Sequence, residues 1–275
     1  MRFIRYVENN ESTVRIGWIY QDWVGEIEGN MFTEYRRAEA RTPLEKVRLL
    51  APILPGKIIG VGWNYVDHAK EFDRPLPEVP TVFLKPVSAV IGTGEGVVLP
   101  PIAAQVEHES ELAIVIGRRA KNVLAETAKS YIFGYTIGND ITARDLQKKD
   151  DTWARAKGFD TFCPLGPWIE TEFEPADAMI SCSVNSNLRQ MASTRDMIFP
   201  VNSLIAYISS IMTLEPGDVI LTGTPAGPAK LESGDIIEAS IEGIGRLVNP
   251  VVSGPTAEVR RSEERREGKE CRSRW

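Results

Sequence analysis

The chain is poor in histidine and cysteine. Its 275 residues include two histidines, His68 and His108, and three cysteines, Cys163, Cys182 and Cys271. Two histidines cannot build a three-histidine zinc site, and the cysteines lack the paired spacing of a zinc finger or a CxxC redox centre. An odd cysteine count also argues against a disulfide framework and points to a reducing, cytoplasmic setting. Positive charge is short too: 32 Lys and Arg against 38 Asp and Glu leave a formal charge of −6. Nucleic-acid binding needs a basic face that displaces counterions, so nucleic acid is not an expected partner. A small anionic ligand stays compatible, because a site can be locally positive inside an acidic protein. No apolar run approaches the ~20 residues that cross a bilayer, so no membrane partner is expected. The opening MRFIRYVENNE turns acidic too early to read as a signal-peptide core. No fixed-period repeat is visible, which excludes solenoids and propellers.

What is present is a turn-rich globular chain. Gly (22) and Pro (18) are spread along the sequence, a density that suits short strands better than a helical bundle. RFIRYVE and VRIGWIY read as strands joined by the turn-prone NNEST, with a third strand at Trp23–Ile27. The polar EYRRAEARTPLEK reads as the join to a larger domain. The expected division is a small N-terminal β domain over 1–50, a catalytic domain over 51–255 and a disordered tail over 256–275. KIIGVGW, TVFLK, Val97–Leu99, ELAIVIG, YIFGYTIGND, DVILTG, DIIEASIE and GRLVNPVV read as further strands. NYVDHAKEF has helical composition, and ITARDLQKKD reads as a helix start capped by Thr142. Val201, Leu204, Ile205, Ile208, Ile211 and Met212 share one helical face. GTGEG is followed by VVLPP rather than a helix, so it reads as a turn and not a phosphate cradle. The fold class that follows is mainly β with some α.

Three groups of residues suggest chemistry. Glu107, Glu109 and Glu111 alternate in VEHESELAIVIG, so a continuous strand would place all three carboxylates on one face. Stacked like charges repel by several tenths of a kcal/mol per pair, roughly, and a divalent cation would convert that repulsion into binding. Oxygen ligands without histidine or thiolate suit Mg²⁺, Mn²⁺ or Ca²⁺; a solvated strand end is the plain alternative. Asp140, at the end of an apolar strand, and Asp145, in ARDLQ, form a second carboxylate group that could complete such a site. His68 precedes Glu71 by three residues, so a helix places them on one face. The carboxylate would raise imidazole basicity and suit it to deprotonate water, although isolated pairs of this kind are usually surface salt bridges. His108 should point away from its flanking glutamates and be structural.

From Lys57 to about Val252 the chain resembles the fumarylacetoacetate hydrolase family. The resemblance rests on GVGWNYVDHAKE, VFLKP, EHESELAIVIG, FGYTIGNDITARDLQ, WARAKGFDTFCPLGPWI, LEPGDVILTGTPAGP and GIGRLVNPV, seven blocks in family order. It implies a mixed β-sandwich roll, with residues 1–50 similar to the small β domain of longer bacterial members, and a homodimer. It implies that Glu109, Glu111 and Asp140 bind Mg²⁺ or Mn²⁺, and that His68 and Glu71 are the water-activating dyad. By the same resemblance Lys157 and Gln147 contact the substrate or its developing charge, Arg144 and Thr224 hold carboxylate groups, and Lys85 is a secondary candidate. Loops around Phe72–Pro80 and Thr161–Trp168 would set specificity.

These assignments imply a C–C bond cleaving enzyme that acts on a 2-oxo or β-diketo acid through a metal-stabilised enolate. Acylpyruvate-type hydrolysis and oxaloacetate-type decarboxylation both fit. An isomerase or tautomerase of 2-hydroxydienedioate intermediates is the next reading, and a metal-binding interaction protein without catalysis is the reading from another class.

Overall fold

The computed structural model describes residues 1–9 and 11–255, so the charged stretch read as a disordered tail lies outside the described residues. Two sheets dominate. The larger has thirteen strands, and its main path runs Tyr35–Arg37, Trp23–Gly29, Arg15–Tyr20, Arg2–Glu8, Cys163–Glu170, Ile132–Asn139, Ser110–Ile116, Val219–Leu221, Ile58–Gly62 and Thr81–Lys85. Val219–Leu221 and Ile58–Gly62 pair in parallel while most neighbours are antiparallel, which makes the sheet mixed. The smaller sheet orders Val97–Leu99, Gly245–Ser253, Ile236–Ile241, Met179–Val184 and Asn187–Ser193. The expected mainly β fold with some α is the observed one.

Strand Ser110–Ile116 lies near the middle of the larger sheet and explains the packing. All seven of its residues are buried, as an apolar run covered on both faces should be. Leu112, Ile114 and Ile116 pack with Ile180, Ala239 and Ile241 of the smaller sheet and with Leu204, Ile205 and Ile208 of helix Val201–Ile211. Ala113 and Val115 face the other way, into a cluster with Phe3, Ile27, Leu165, Val219 and Leu221. Burial of each such side chain contributes about 1.5–3 kcal/mol. Cys163 and Cys182 are buried free thiols.

Several local expectations change. The polar stretch read as a join instead contributes strands Tyr35–Arg37 and Thr42–Pro43. Residues 1–50 continue the main sheet, because Arg2 and Phe3 pair with Glu170 and Ile169. Thr142 does not cap a helix: it lies in the short strand Thr142–Ala143, and its hydroxyl donates to the Asp140 carbonyl at 2.9 Å. The helix begins at Arg144 with no side-chain cap. Ile211 is 50 % exposed rather than part of the apolar face, while Met212 just beyond it packs on the core. The hairpin Met179–Val184 and Asn187–Ser193 has no counterpart in the sequence reading. Its turn places Asn185 and Ser186 at φ of 51° and 64°, the left-handed pair a two-residue hairpin needs.

Candidate metal centre and active site

Three carboxylates converge where two central strands end. Antiparallel pairing of Ser110 with Asn139 and Glu111 with Gly138 brings the start of one strand beside the end of the other. The Asp140 N–H donates to the Glu109 carbonyl at 2.8 Å, and the Glu109 N–H donates to Asn139 Oδ1 at 2.9 Å. Glu109, Glu111 and Asp140 thereby each place a carboxylate oxygen within 4.8 Å of the others, and all three are buried. Glu107, expected on the same strand face, belongs to a separate short strand, Val106–Glu107. The ladder breaks at residues 108 and 109, so Glu107 pairs with Arg144 instead of joining the three. Asp145 also stays outside; its carboxylate accepts the backbone N–H groups of Ala104 and Gln105.

Buried carboxylates need cations, and the chain supplies three. Lys157 Nζ donates to Glu109 Oε2 at 2.7 Å and to Asp140 Oδ2 at 2.5 Å. Lys85 Nζ reaches Asp140 Oδ1 at 2.5 Å and the Lys157 carbonyl at 2.6 Å. Arg144 Nη2 reaches Glu109 Oε1 at 2.5 Å, and Nε reaches Glu107 Oε2 at 2.7 Å. Burial alone would lower the Lys157 pKa, but Asp140 and Glu109 reverse this and keep the ammonium charged. Burial would raise the Glu109 pKa; Lys157 and Arg144 override it and hold the carboxyl well below its usual range.

Glu111 is the exception. Its Oε2 accepts the Gly223 N–H at 2.6 Å, and among the described residues no cationic side chain bonds to it. Burial, Asp140 and Glu109 push its pKa well above the ordinary carboxylate value. A pocket of three buried carboxylates with one left uncompensated fits a hard divalent cation, which would neutralise the excess charge. Glu109, Glu111 and Asp140 are the residues that would hold it.

The opposite wall carries the histidine. Helix Val66–Glu71 presents His68 and Glu71 on one face, with His68 Nδ1 3.3 Å from Glu71 Oε2. Among the described residues Nε2 has no hydrogen-bond partner. Burial lowers the His68 pKa below 6.5, although Glu109 and Glu71 act to raise it; desolvation therefore outweighs the basicity gain expected from the carboxylate. Trp63 stacks on the imidazole with centroids 5.2 Å apart and planes at 22°. Glu71 in turn accepts the Gly227 N–H at 3.2 Å.

Together these groups line a narrow cleft formed by Trp63, His68, Phe83, Glu109, Glu111, Asp140, Arg144, Gln147, Trp153, Lys157 and Thr224. Gln147 Oε1 accepts from Arg144 Nη1 at 2.6 Å. The cleft continues into a wider outer vestibule that shares Trp63, Arg144, Gln147 and Trp153 and adds Phe72, Arg74 and Lys148. Lys85, expected among the substrate contacts, is instead fully buried behind Asp140 and does not line the cleft. Thr224 does line the cleft, but its hydroxyl proton is given to the Ser110 carbonyl at 2.9 Å. His108 is buried on another side, with Nδ1 against Gln190 Oε1 at 3.0 Å.

Sequence reasoning did not single out the aromatic walls or the residues that fix the loops. Asn64 is fully buried and rivets two loops: its Nδ2 donates to the Thr222 and Phe199 carbonyls at 2.7 and 3.0 Å, and its Oδ1 accepts the Phe199 N–H at 2.8 Å. Trp63 adopts φ of 60°, unusual for a bulky residue and a local sign of a special site. A lone amide in WNYVDH gives no such signal in the sequence.

The pattern described as Fumarylacetoacetate (FAA) hydrolase C-terminal matches residues 57–252, and Rv2993c-like, N-terminal matches residues 1–52. Protein Rv2993c of Mycobacterium tuberculosis is 53 % identical over 213 residues, which is 76 % of this chain and 80 % of that protein. Human mitochondrial oxaloacetate tautomerase FAHD2A is 42 % identical over 223 residues, 76 % of this chain and 71 % of that one. The crystal structure of 5-carboxymethyl-2-hydroxymuconate delta-isomerase from Mycobacterium smegmatis superposes with a TM-score of 0.86 at 46 % identity, covering 92 % of this chain and all of that one.

Proposed function

The chain belongs to the fumarylacetoacetate hydrolase family, and on that premise we propose that it is a divalent-metal-dependent enzyme that makes and uses the enol of a 2-oxo acid. The observation that carries this reading is the placing of a buried imidazole across one cleft from three clustered carboxylates and a buried lysine. Mg²⁺ or Mn²⁺ on those carboxylates would supply a Lewis acid to the keto and carboxylate oxygens of the substrate. His68 Nε2 would take the proton from the carbon beside the keto group and return it, with Glu71 holding the ring through Nδ1. Lys157 would add positive charge where the enolate oxygen develops. Trp63, Phe83 and Trp153 would exclude water around the reacting carbons.

Tautomerisation or double-bond isomerisation requires only this proton transfer, and proteins 42 % and 46 % identical to this chain bear such activities in their names. The second reading is C–C cleavage, by acylpyruvate-type hydrolysis or oxaloacetate-type decarboxylation. The intact His68–Glu71 pair supports the hydrolytic branch, because a base that can move a carbon-bound proton can also deprotonate water, whereas decarboxylation needs no activated water. We propose the same pocket for either reaction, with the vestibule around Arg74 and Lys148 receiving the distal end of the substrate. We also propose a homodimer. Leu188 and Met191 support it, 57 % and 62 % exposed on the edge strand of the smaller sheet.

One assay series separates these outcomes. Purified protein with Mg²⁺, protein with chelator and Mg²⁺ alone are given oxaloacetate and acetylpyruvate, following enol absorbance and pyruvate release above the metal-only rate. Metal-dependent loss of enol absorbance without pyruvate supports the tautomerase, and pyruvate release supports cleavage. No metal-dependent change with either compound would sink both readings.

A further inference from the structure

Gln190 lies on the hairpin strand Asn187–Ser193 that sequence patterning did not reveal, far along the chain from every residue assigned to the centre. Its amide is 1 % exposed and makes four contacts. Oε1 accepts the Ser110 N–H at 3.1 Å and faces His108 Nδ1 at 3.0 Å. Nε2 donates to Thr224 Oγ1 and to the Pro225 carbonyl, both at 2.7 Å. The orientation is unambiguous, because an N–H can only donate and a carbonyl can only accept. The same logic makes His108 the Nδ1–H tautomer.

These bonds close a ring. Gln190 Nε2 donates to Thr224 Oγ1, Thr224 Oγ1 donates to the Ser110 carbonyl, and the Ser110 N–H donates back to Gln190 Oε1. Ser110 stands between Glu109 and Glu111, so both its backbone groups are fixed at the point that aims the two carboxylates. The loop on the other side of the ring sends the Gly223 N–H to Glu111 and the Gly227 N–H to Glu71. Gly227 is pressed against the Arg189 carbonyl, where an added Cβ would stand 2.2 Å away, so the loop is seated on the strand that carries Gln190.

We propose that Gln190 is a positioning residue of the metal centre: it sets the spacing of Glu109 and Glu111 and seats the loop that holds Glu71. It does not line the cleft and acts through Ser110 and Thr224. The inference rests on the metal reading above. Buried amides that orient ligands indirectly typically change metal affinity about 10–100-fold when removed.

The test is calorimetric titration of Mn²⁺ into wild type, Gln190→Ala and Asn249→Ala, each well below its melting temperature. Asn249 is an equally buried amide that donates to the Gly92 and Glu95 carbonyls at 2.8 and 2.9 Å, remote from the carboxylates. It controls for loss of stability alone. Gln190→Ala should weaken Mn²⁺ binding at least about tenfold, while Asn249→Ala leaves it within about twofold. Equal Mn²⁺ affinity in wild type and Gln190→Ala, or equal weakening in both variants, would overturn the proposal. Gln190→Met keeps the side-chain length without adding charge while losing the bonds to Ser110, Thr224 and Pro225, and gives the same reading if Gln190→Ala does not fold. A wild type that binds no Mn²⁺ would instead remove the metal reading itself.

Discussion

Glu111 and His68 are the residues whose surroundings are least balanced. Glu109 meets Lys157 and Arg144, and Asp140 meets Lys157 and Lys85, whereas Glu111 has one backbone N–H. Glu111→Gln should therefore relieve like-charge repulsion in the metal-free protein and leave its melting temperature unchanged or higher, while lowering Mn²⁺ affinity at least about tenfold. Thermal melts in chelator and a Mn²⁺ titration check both halves; a lower melting temperature with unaltered affinity would contradict the assignment. His68 is shifted in the opposite sense, downward, by burial. A lowered pKa means that the ring stays unprotonated and able to accept a proton at pH values where an ordinary histidine is charged. The acidic limb of kcat/KM should accordingly lie below pH 6.5. A limb at or above that value would show that the essential base is another group.

At the scale of elements, the centre is assembled from short pieces that would not be stable alone. Helix Val66–Glu71 has six residues, well under the length at which an isolated helix persists. It is held by Glu71 on the Gly227 N–H and by Trp63 over His68. Gly223 shows how tightly the neighbouring loop is set: its φ is +95°, and an added Cβ would stand 2.7 Å from the Asn64 Cβ. Gly223→Ala should destabilise the protein by about 1–3 kcal/mol and weaken metal binding through the lost contact to Glu111. Urea titration and Mn²⁺ calorimetry read these two effects separately. Most strands of the main sheet were legible, because runs such as ELAIVIG and TVFLK announce themselves by apolar patterning. The acidic centre was legible through Glu109, Glu111 and Asp140. The break between Glu107 and Glu111 was not, since alternation alone cannot show that Arg144 draws Glu107 away. Gln190 was also hidden: its hairpin is half polar, and its role arises from contacts with residues about 34 and 80 positions distant.

The whole molecule is organised around one continuous sheet that carries both the N-terminal strands and the carboxylates. Phe3 and Ile27 share a buried cluster with Ala113 and Val115, which lie on the same strand as Glu111. Residues 1–50 and the remainder should therefore melt in a single transition in differential scanning calorimetry. Two separated transitions would show that the N-terminal strands fold independently. Saturating Mg²⁺ or Mn²⁺ at about 100 times its dissociation constant should add about 2.7 kcal/mol to stability. The central claim concerns the proton on the carbon beside the keto group, and NMR of oxaloacetate in D₂O tests it most directly. With Mg²⁺, the wild type should speed deuterium uptake at C3 well above the metal-only rate, and His68→Ala should lose most of that acceleration. Uptake no faster than with Mg²⁺ alone, or an equal rate in His68→Ala, would contradict the account.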